Sequence, residues 1–326
     1  MAFDKEILRQ INMKLAGRRA ANEAQADARR EDIYEKIPRI REIDTELRLT
    51  PVQIVRAAFG NREDAAPKLE EVKKKNLALQ AERAEVLAAN GYSRDFLDVH
   101  YTCPICEDKG YISPGEPCEC LLEEYKKAQT GKLRETFGFD VKPFDSFKLG
   151  YYSDERKGNP VSPRENMTLN LNICKKFAEK FGVITENLFI NGDTGLGKTH
   201  LASCVALEVA GKGYSVRYGT AFEILGAFED KKFNRDVGED KTEDYKKADL
   251  LIIDDLGAEM ITQFSTAVLY NLMSTREIAG KSTIIISPLT VGEISAKYTP
   301  QIASRLSGNY IPLYCVGEDI RKKIGK

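Results

Sequence analysis

Apolar residues recur at intervals of three and four through the first ninety positions. Ile37, Ile40, Ile43 and Leu47 mark one stretch, and Leu69, Val72, Leu79 and Val86 another. That spacing keeps a stripe on one face of a 3.6-residue helix, so both stretches are expected to be amphipathic helices. Their other faces carry acidic and basic residues in near-equal number, as solvated helices do, and Pro51 and Pro67 are expected at helix starts or breaks. From Gly91 the pattern gives way to a segment dense in Cys, Pro, Gly and Tyr. Residues 121–132 return to a helical, charged composition, and 138–163 read as an irregular connector. Beyond it, helical stretches alternate with short apolar runs at 187–190, 215–218, 250–253, 283–286 and 310–313. Runs so short and so uniformly apolar, separated by helices, predict a parallel sheet covered on both faces, an α/β domain. The expected organisation is a helical amino-terminal domain over 1–135, a linker over 136–165 and the α/β domain over 166–326.

A length of 326 residues agrees with two domains. Lys and Arg number 49 against 50 Asp and Glu, so the net charge of −1 excludes a histone-like coat and confines any nucleic-acid contact to a local patch. No apolar run approaches the roughly 20 residues that cross a bilayer, and the start MAFDKEILRQ lacks a secretory stretch. A soluble, cytoplasmic protein with no membrane partner is expected.

Seven cysteines, an odd number, cannot form a fully paired disulfide framework within one chain. Four of them, Cys103, Cys106, Cys118 and Cys120, follow the pattern C-x2-C, eleven residues, C-x-C. Four thiolates close a tetrahedron around Zn²⁺, and Gly110 and Gly115 free the backbone for a hairpin between the two pairs. Such a site leaves no open position for chemistry and is structural. The alternative is a redox dithiol built on C-P-I-C, against which stand the absent βαβ pattern and the second pair at ligand spacing. His100 is expected to be a bystander. Cys174, Cys204 and Cys315 lie singly among apolar neighbours and read as buried thiols.

The segment NLFINGDTGLGKTHLA places Gly192, Asp193, Thr194, Gly195, Leu196, Gly197, Lys198 and Thr199 as G-x-x-x-x-G-K-T between an apolar run and a helical stretch. That is the context of a P-loop. Its glycines let backbone N–H groups face phosphate oxygens, Lys198 neutralises the β and γ phosphates, and the Thr199 hydroxyl reaches Mg²⁺. A second acid must hold the metal, and ADLLIIDDLGAE supplies it. The apolar run 250–253 delivers Asp254 to the carboxyl end of a strand, where it serves Mg²⁺, and Asp255 follows, placed to orient or deprotonate the attacking water. His200 is expected to pack or face solvent and not to carry protons.

GDTGLGKTH, IIDDLGAE, QIASRLSGNY and the closing GEDIRKK together resemble the AAA+ ATPases of the DnaC/DnaI helicase-loader type, to which the IstB-type transposition helpers are related. The likeness spans about 138–326. The cysteine block followed by CLLEEY further resembles the zinc-bearing amino-terminal domain of DnaI-type primosomal proteins. The resemblance implies an ATP-dependent loader that binds the hexameric replicative DNA helicase through its amino-terminal domain and single-stranded DNA through its ATPase domain. It also implies self-association, because Arg305 matches the arginine finger that reaches a neighbouring subunit's γ-phosphate, while Arg321 matches the second sensor arginine within its own subunit. Without the family both arginines read as surface ion pairs. The chain runs only five residues past Arg321, which fits a loader branch that lacks the usual helical lid. One position departs from the pattern: where the family carries an Asn after the fourth strand, IIISPLT places Pro288, with no amide to position water. Ser287 is the hydroxyl that could substitute, and slow hydrolysis is expected.

The residues alone give a thin case for nucleic acid. Arg321, Lys322, Lys323 and Lys326 make a basic tail, while Lys246, Lys247 and Arg276 are scattered without interleaved aromatics. An IstB-like transposition helper, and a nucleotide-gated module that barely turns over, remain as competing functions.

Overall fold

The computed structural model describes residues 3–58, 62–139, 141–156, 158, 160–233 and 241–324. No single cut separates its two compact units: Gln10–Leu121 forms one, and Met1–Arg9 with Leu122–Lys326 forms the other.

The first unit is built on α1 (Lys5–Lys36) from Gln10 onward, α2 (Pro38–Ala58) and α3 (Arg62–Ala89). Ile33, Ile40, Leu87 and Leu97 are fully buried at its centre, with Ile37, Val86 and Phe96 packed around them. Pro51 and Pro67 lie inside α2 and α3, not at their ends as expected. An interior proline forfeits one helix hydrogen bond and crowds the preceding turn, roughly 3 kcal/mol of strain. Contacts between α2 and α3 hold the helices through it, among them Arg39 with Glu82 at 2.7 Å, Arg83 with Asp44 at 2.8 Å and Asn76 with Thr50 at 3.0 Å. Leu69, expected on the apolar stripe, is 43% exposed. After α3, β1 (Tyr111–Ser113) pairs antiparallel with β2 (Glu116–Pro117), and α4 (Glu119–Phe137) follows, belonging to the second unit from Leu122 onward.

The second unit carries α5 (Pro163–Lys180), β3 (Leu188–Asn191), α6 (Lys198–Gly211), β4 (Val216–Thr220), α7 (Ala221–Lys232), α8 (Lys241–Lys247), β5 (Leu250–Asp254), α9 (Gln263–Ile278), β6 (Ser282–Ser287), α10 (Val291–Lys297), α11 (Pro300–Asn309), β7 (Ile311–Tyr314) and α12 (Arg321–Ile324). Its strands form a wholly parallel sheet in the order β4-β5-β6-β3-β7. Successive strand side chains point to opposite faces, so each run feeds two layers. Leu188, Ile190, Leu250, Ile252, Ile284 and Ile286 pack beneath α5 and α6, whereas Phe189, Leu251, Ile253 and Ile285 pack beneath α7, α9 and α11. Burial on both faces is why these strands read as unbroken apolar runs and not as alternating ones. The stretch expected as a connector is woven into the first layer, where Phe137, Val141, Phe144 and Tyr152 are buried.

Candidate nucleotide site and thiol cluster

The loop after β3 turns through Gly192 at φ +143°, where a Cβ would stand 2.4 Å from the carbonyl oxygen of Cys315. No side chain fits there, because backbone cannot yield as a flexible side chain can. Gly197 at φ +82° then starts α6, whose first amides face the loop. Lys198 is buried, and its Nζ donates to the carbonyls of Gly192 at 2.6 Å and Asp193 at 2.8 Å; burial lowers its pKa. The loop thus holds an ammonium under its own backbone.

Asp254 closes β5 and is 2% exposed. Burial raises its pKa, with the neighbouring Asp255 carboxylate adding to the effect, while hydrogen bonds from Thr199, the Asp255 amide and Tyr218 oppose it. The Tyr218 hydroxyl donates to Asp254 Oδ2 at 3.1 Å. The structure therefore joins the loop threonine to the strand-end acid, the pairing that a divalent cation between phosphate and carboxylate requires. Asp255 is exposed, sits in the left-handed region at φ +52°, and its amide donates to Asp254 Oδ1 at 2.8 Å.

A cavity of about 910 Å³ opens beside the loop, bounded by residues from Thr194 to His200, by Asp255, Pro288 and Arg321, and by aromatic residues of the supposed connector. Phe147 stacks on His200 with centroids 5.4 Å apart, and the Tyr152 hydroxyl donates to Leu196 O at 3.0 Å. This aromatic wall was missed in the sequence, where FDSFKLGYY held its only signal. His200 is half-buried and burial lowers its pKa, which suits a neutral packing ring.

Arg321 reaches the cavity because the segment before it folds onto the loop, the Ile320 amide donating to Gly195 O at 2.9 Å. Arg305 is elsewhere. On α11, it ion-pairs with Glu277, donates to Tyr270 Oη and Ser274 Oγ at 3.2 Å each, and lies 4.7 Å from the Tyr270 ring centre. Pro288 borders the cavity, but Ser287 is no substitute for an amide there. Its hydroxyl is fully buried, donating to Leu256 O at 2.6 Å and accepting from the Leu289 amide at 3.0 Å.

The scattered cations are engaged within the chain. Arg276 is fully buried and unable to meet a nucleic acid, and Lys246 and Lys247 both pair with Glu243. Lys322 is exposed, whereas Lys326 and the Lys323 side chain lie outside the described residues.

In the helical unit the ligand atoms of Cys103, Cys106, Cys118 and Cys120 all lie within 4.8 Å of one another. Cys103 and Cys118 are 3.7 Å apart and Cys106 and Cys120 3.4 Å, close to the roughly 3.8 Å edge of a tetrahedron with 2.3 Å metal–sulfur bonds. The donor set fits a tetrahedral metal. The Cys106 amide draws the Cys103 pKa down to about 7, while burial raises Cys118 and Cys120. Asp108, fully buried, accepts from the Thr102 and Cys103 amides and pairs with Arg18 at 2.6 Å, anchoring the turn. Gly110 and Gly115 take φ +81° and +85°, and His100 is exposed outside the cluster.

Residues 173–305 match the family model described as IstB-like ATP binding protein. The replicative helicase loader DnaC of Escherichia coli strain K12 is 23% identical over 137 residues, covering 42% of this chain and 56% of that protein. The chromosomal replication initiator protein DnaA of Aquifex aeolicus is 25% identical over 224 residues, covering 65% of this chain and 53% of that protein. A crystal structure of DnaI superposes with a TM-score of 0.45 at 19% identity, covering 58% of this chain and 93% of that one. The chain spans about half the length of the curated relatives it matches.

Proposed function

We propose that this chain, whose ATPase domain is similar to the AAA+ proteins of the IstB/DnaC type, is an ATP-dependent loader of the replicative DNA helicase onto single-stranded DNA, acting in the cytoplasm during primosome assembly. The observation that carries the ATPase reading is the buried Lys198, held by the Gly192 and Asp193 carbonyls in the glycine loop, beside a cavity that Thr199, Asp255 and Arg321 also line. Kinship with DnaC supports the loading role. Among the described residues no helix is long and apolar enough to cross a membrane.

In the proposed reaction the loop amides and the start of α6 hold the phosphates, and Lys198 exchanges its carbonyl partners for phosphate oxygens. Thr199 and Asp254 would hold Mg²⁺, which would supply charge neutralisation. Tyr218 fixes the Asp254 carboxylate, Asp255 orients water at the cavity edge, and Arg321 faces the phosphates from within the chain. Arg305, remote from its own cavity, serves a neighbouring copy after leaving Glu277, so hydrolysis waits on assembly. Pro288 withholds a water-positioning amide, which keeps turnover slow. The four thiols would hold Zn²⁺ with no open position, in a structural role.

The family match at 173–305 favours a second reading, an IstB-like transposition helper. One measurement tests the ATPase reading that both share, and a second separates them. Calorimetry with millimolar magnesium ATP is expected to register binding that Lys198→Ala abolishes, and absence of heat with the folded chain removes the ATPase reading. Retention of the cognate helicase supports the loader; retention of a transposase and not the helicase overturns it.

A further inference from the structure

Four arginines converge on one hollow in the helical unit. A cavity of about 600 Å³ between α1, α2, α3 and the turn after α3 is lined by Arg30, Arg48, Arg83 and Arg94, together with Asp44 and Asp98. Two of the four are committed. Arg30 donates to Leu97 O at 3.0 Å and pairs with Asp27 at 2.7 Å, while Arg83 pairs with Asp44, which also accepts from the Tyr34 hydroxyl at 2.8 Å. Asp98 stands 3.9 Å from Arg83. The other two, Arg48 and Arg94, are exposed and have no hydrogen bond or ion pair among the described residues. The hollow therefore holds two unspent guanidinium forks on a frame that the paired arginines keep rigid, in a chain whose overall charge of −1 gives no general reason for cations to collect.

We propose that this hollow is a docking site for a short acidic segment of a partner protein, in which clustered Asp or Glu side chains pair with Arg48 and Arg94 and apolar side chains follow along α2. Three features select that occupant. All four cations are arginine, whose planar fork matches a carboxylate bidentately. Asp44 and Asp98 interrupt the positive wall, which suits a few placed carboxylates and repels the unbroken line of phosphates in a nucleic-acid strand. Finally, Arg48, Val52 and Val55 fall at i, i+4 and i+7 on one face of α2, and Val52 and Val55 are 50% and 53% exposed. The face thus runs from charge to hydrocarbon over roughly 10 Å. This site is separate from the nucleotide loop, and it stands or falls independently of the ATPase reading.

The test uses the full chain and a fluorescein-labelled peptide of four alternating Asp and Glu residues followed by two Leu, titrated by anisotropy at low and at physiological salt. Saturable binding that weakens with salt is expected. The variant Arg48→Ala/Arg94→Ala, which removes only exposed, unpaired side chains, is expected to weaken it at least tenfold while magnesium ATP binding is unchanged. Lys73→Ala/Lys74→Ala, which removes the same charge from an exposed part of α3, is expected to leave it within twofold. No binding at low salt, equal losses in the two double variants, or tighter binding of a single-stranded oligonucleotide of equal charge than of the peptide would each overturn the proposal.

Discussion

Arg276 brings a full positive charge into the interior and finds five oxygens, none of them a carboxylate. It bonds Thr283 Oγ1 and the carbonyls of Tyr245, Lys246, Ala248 and Ser282. Burial pulls its pKa down to about 10, so it stays protonated at neutral pH. Replacing it with Met strands several buried acceptors, and an equilibrium urea titration is expected to show a loss of about 3 kcal/mol or more, with Lys intermediate because it cannot span the same fan. Asp4 is the opposite case. Burial opposes its ionisation, but Arg217 at 2.6 Å and Lys132 at 3.0 Å outweigh that and hold its pKa at about 2, below the ordinary 3.8. A depressed carboxylate pKa stabilises the fold above the unfolded value and loses that contribution as pH falls toward the folded one. Asp4→Asn is therefore expected to cost about 2 kcal/mol at pH 7, and the gap to the parent should narrow in unfolding curves taken below about pH 4. Neither role announced itself in the sequence, because Asp4 pairs with Lys132 and Arg217 and Arg276 draws on the carbonyls of Tyr245, Lys246 and Ala248, all distant in the chain. The phosphate loop did announce itself, because its chemistry is spelled out by eight adjacent residues.

Glycine shows how element context decides an outcome. Gly17 lies in α1 with nothing within 4 Å of where a methyl group would stand, whereas Gly192 faces the Cys315 carbonyl at a φ that L residues rarely adopt. Gly17→Ala is expected to stabilise by up to about 1 kcal/mol, and Gly192→Ala to abolish nucleotide binding in calorimetry while lowering the melting temperature. The strand runs read from hydrophobicity lie within two residues of the observed strands, since parallel strands buried on both faces leave an unmistakable apolar signature. Proline was misleading at 51 and 67, where interhelical contacts override a local preference. The aromatic wall escaped notice for a related reason: Phe147 and Tyr152 sit in a segment without periodicity, and only folding brings them against His200 and Leu196.

Across the whole molecule, the thiol cluster and the nucleotide loop lie in different compact units. Stripping metal with a chelator, or Cys118→Ser, is expected to lower the melting temperature of the helical unit, read by circular dichroism, while magnesium ATP still gives heat in calorimetry. Loss of both together would show that the two units do not unfold separately.

The helical unit is inserted within the chain of its neighbour, since Asp4, before it, pairs both with Lys132, after it, and with Arg217 of β4. Excising it is consequently not a matter of trimming one end. A fragment beginning at Leu122 abandons Arg217 to Asp244 alone among its ionic partners, next door to the tyrosine that steadies Asp254. Grafting the opening nine residues back through a short bridge should restore what plain truncation forfeits.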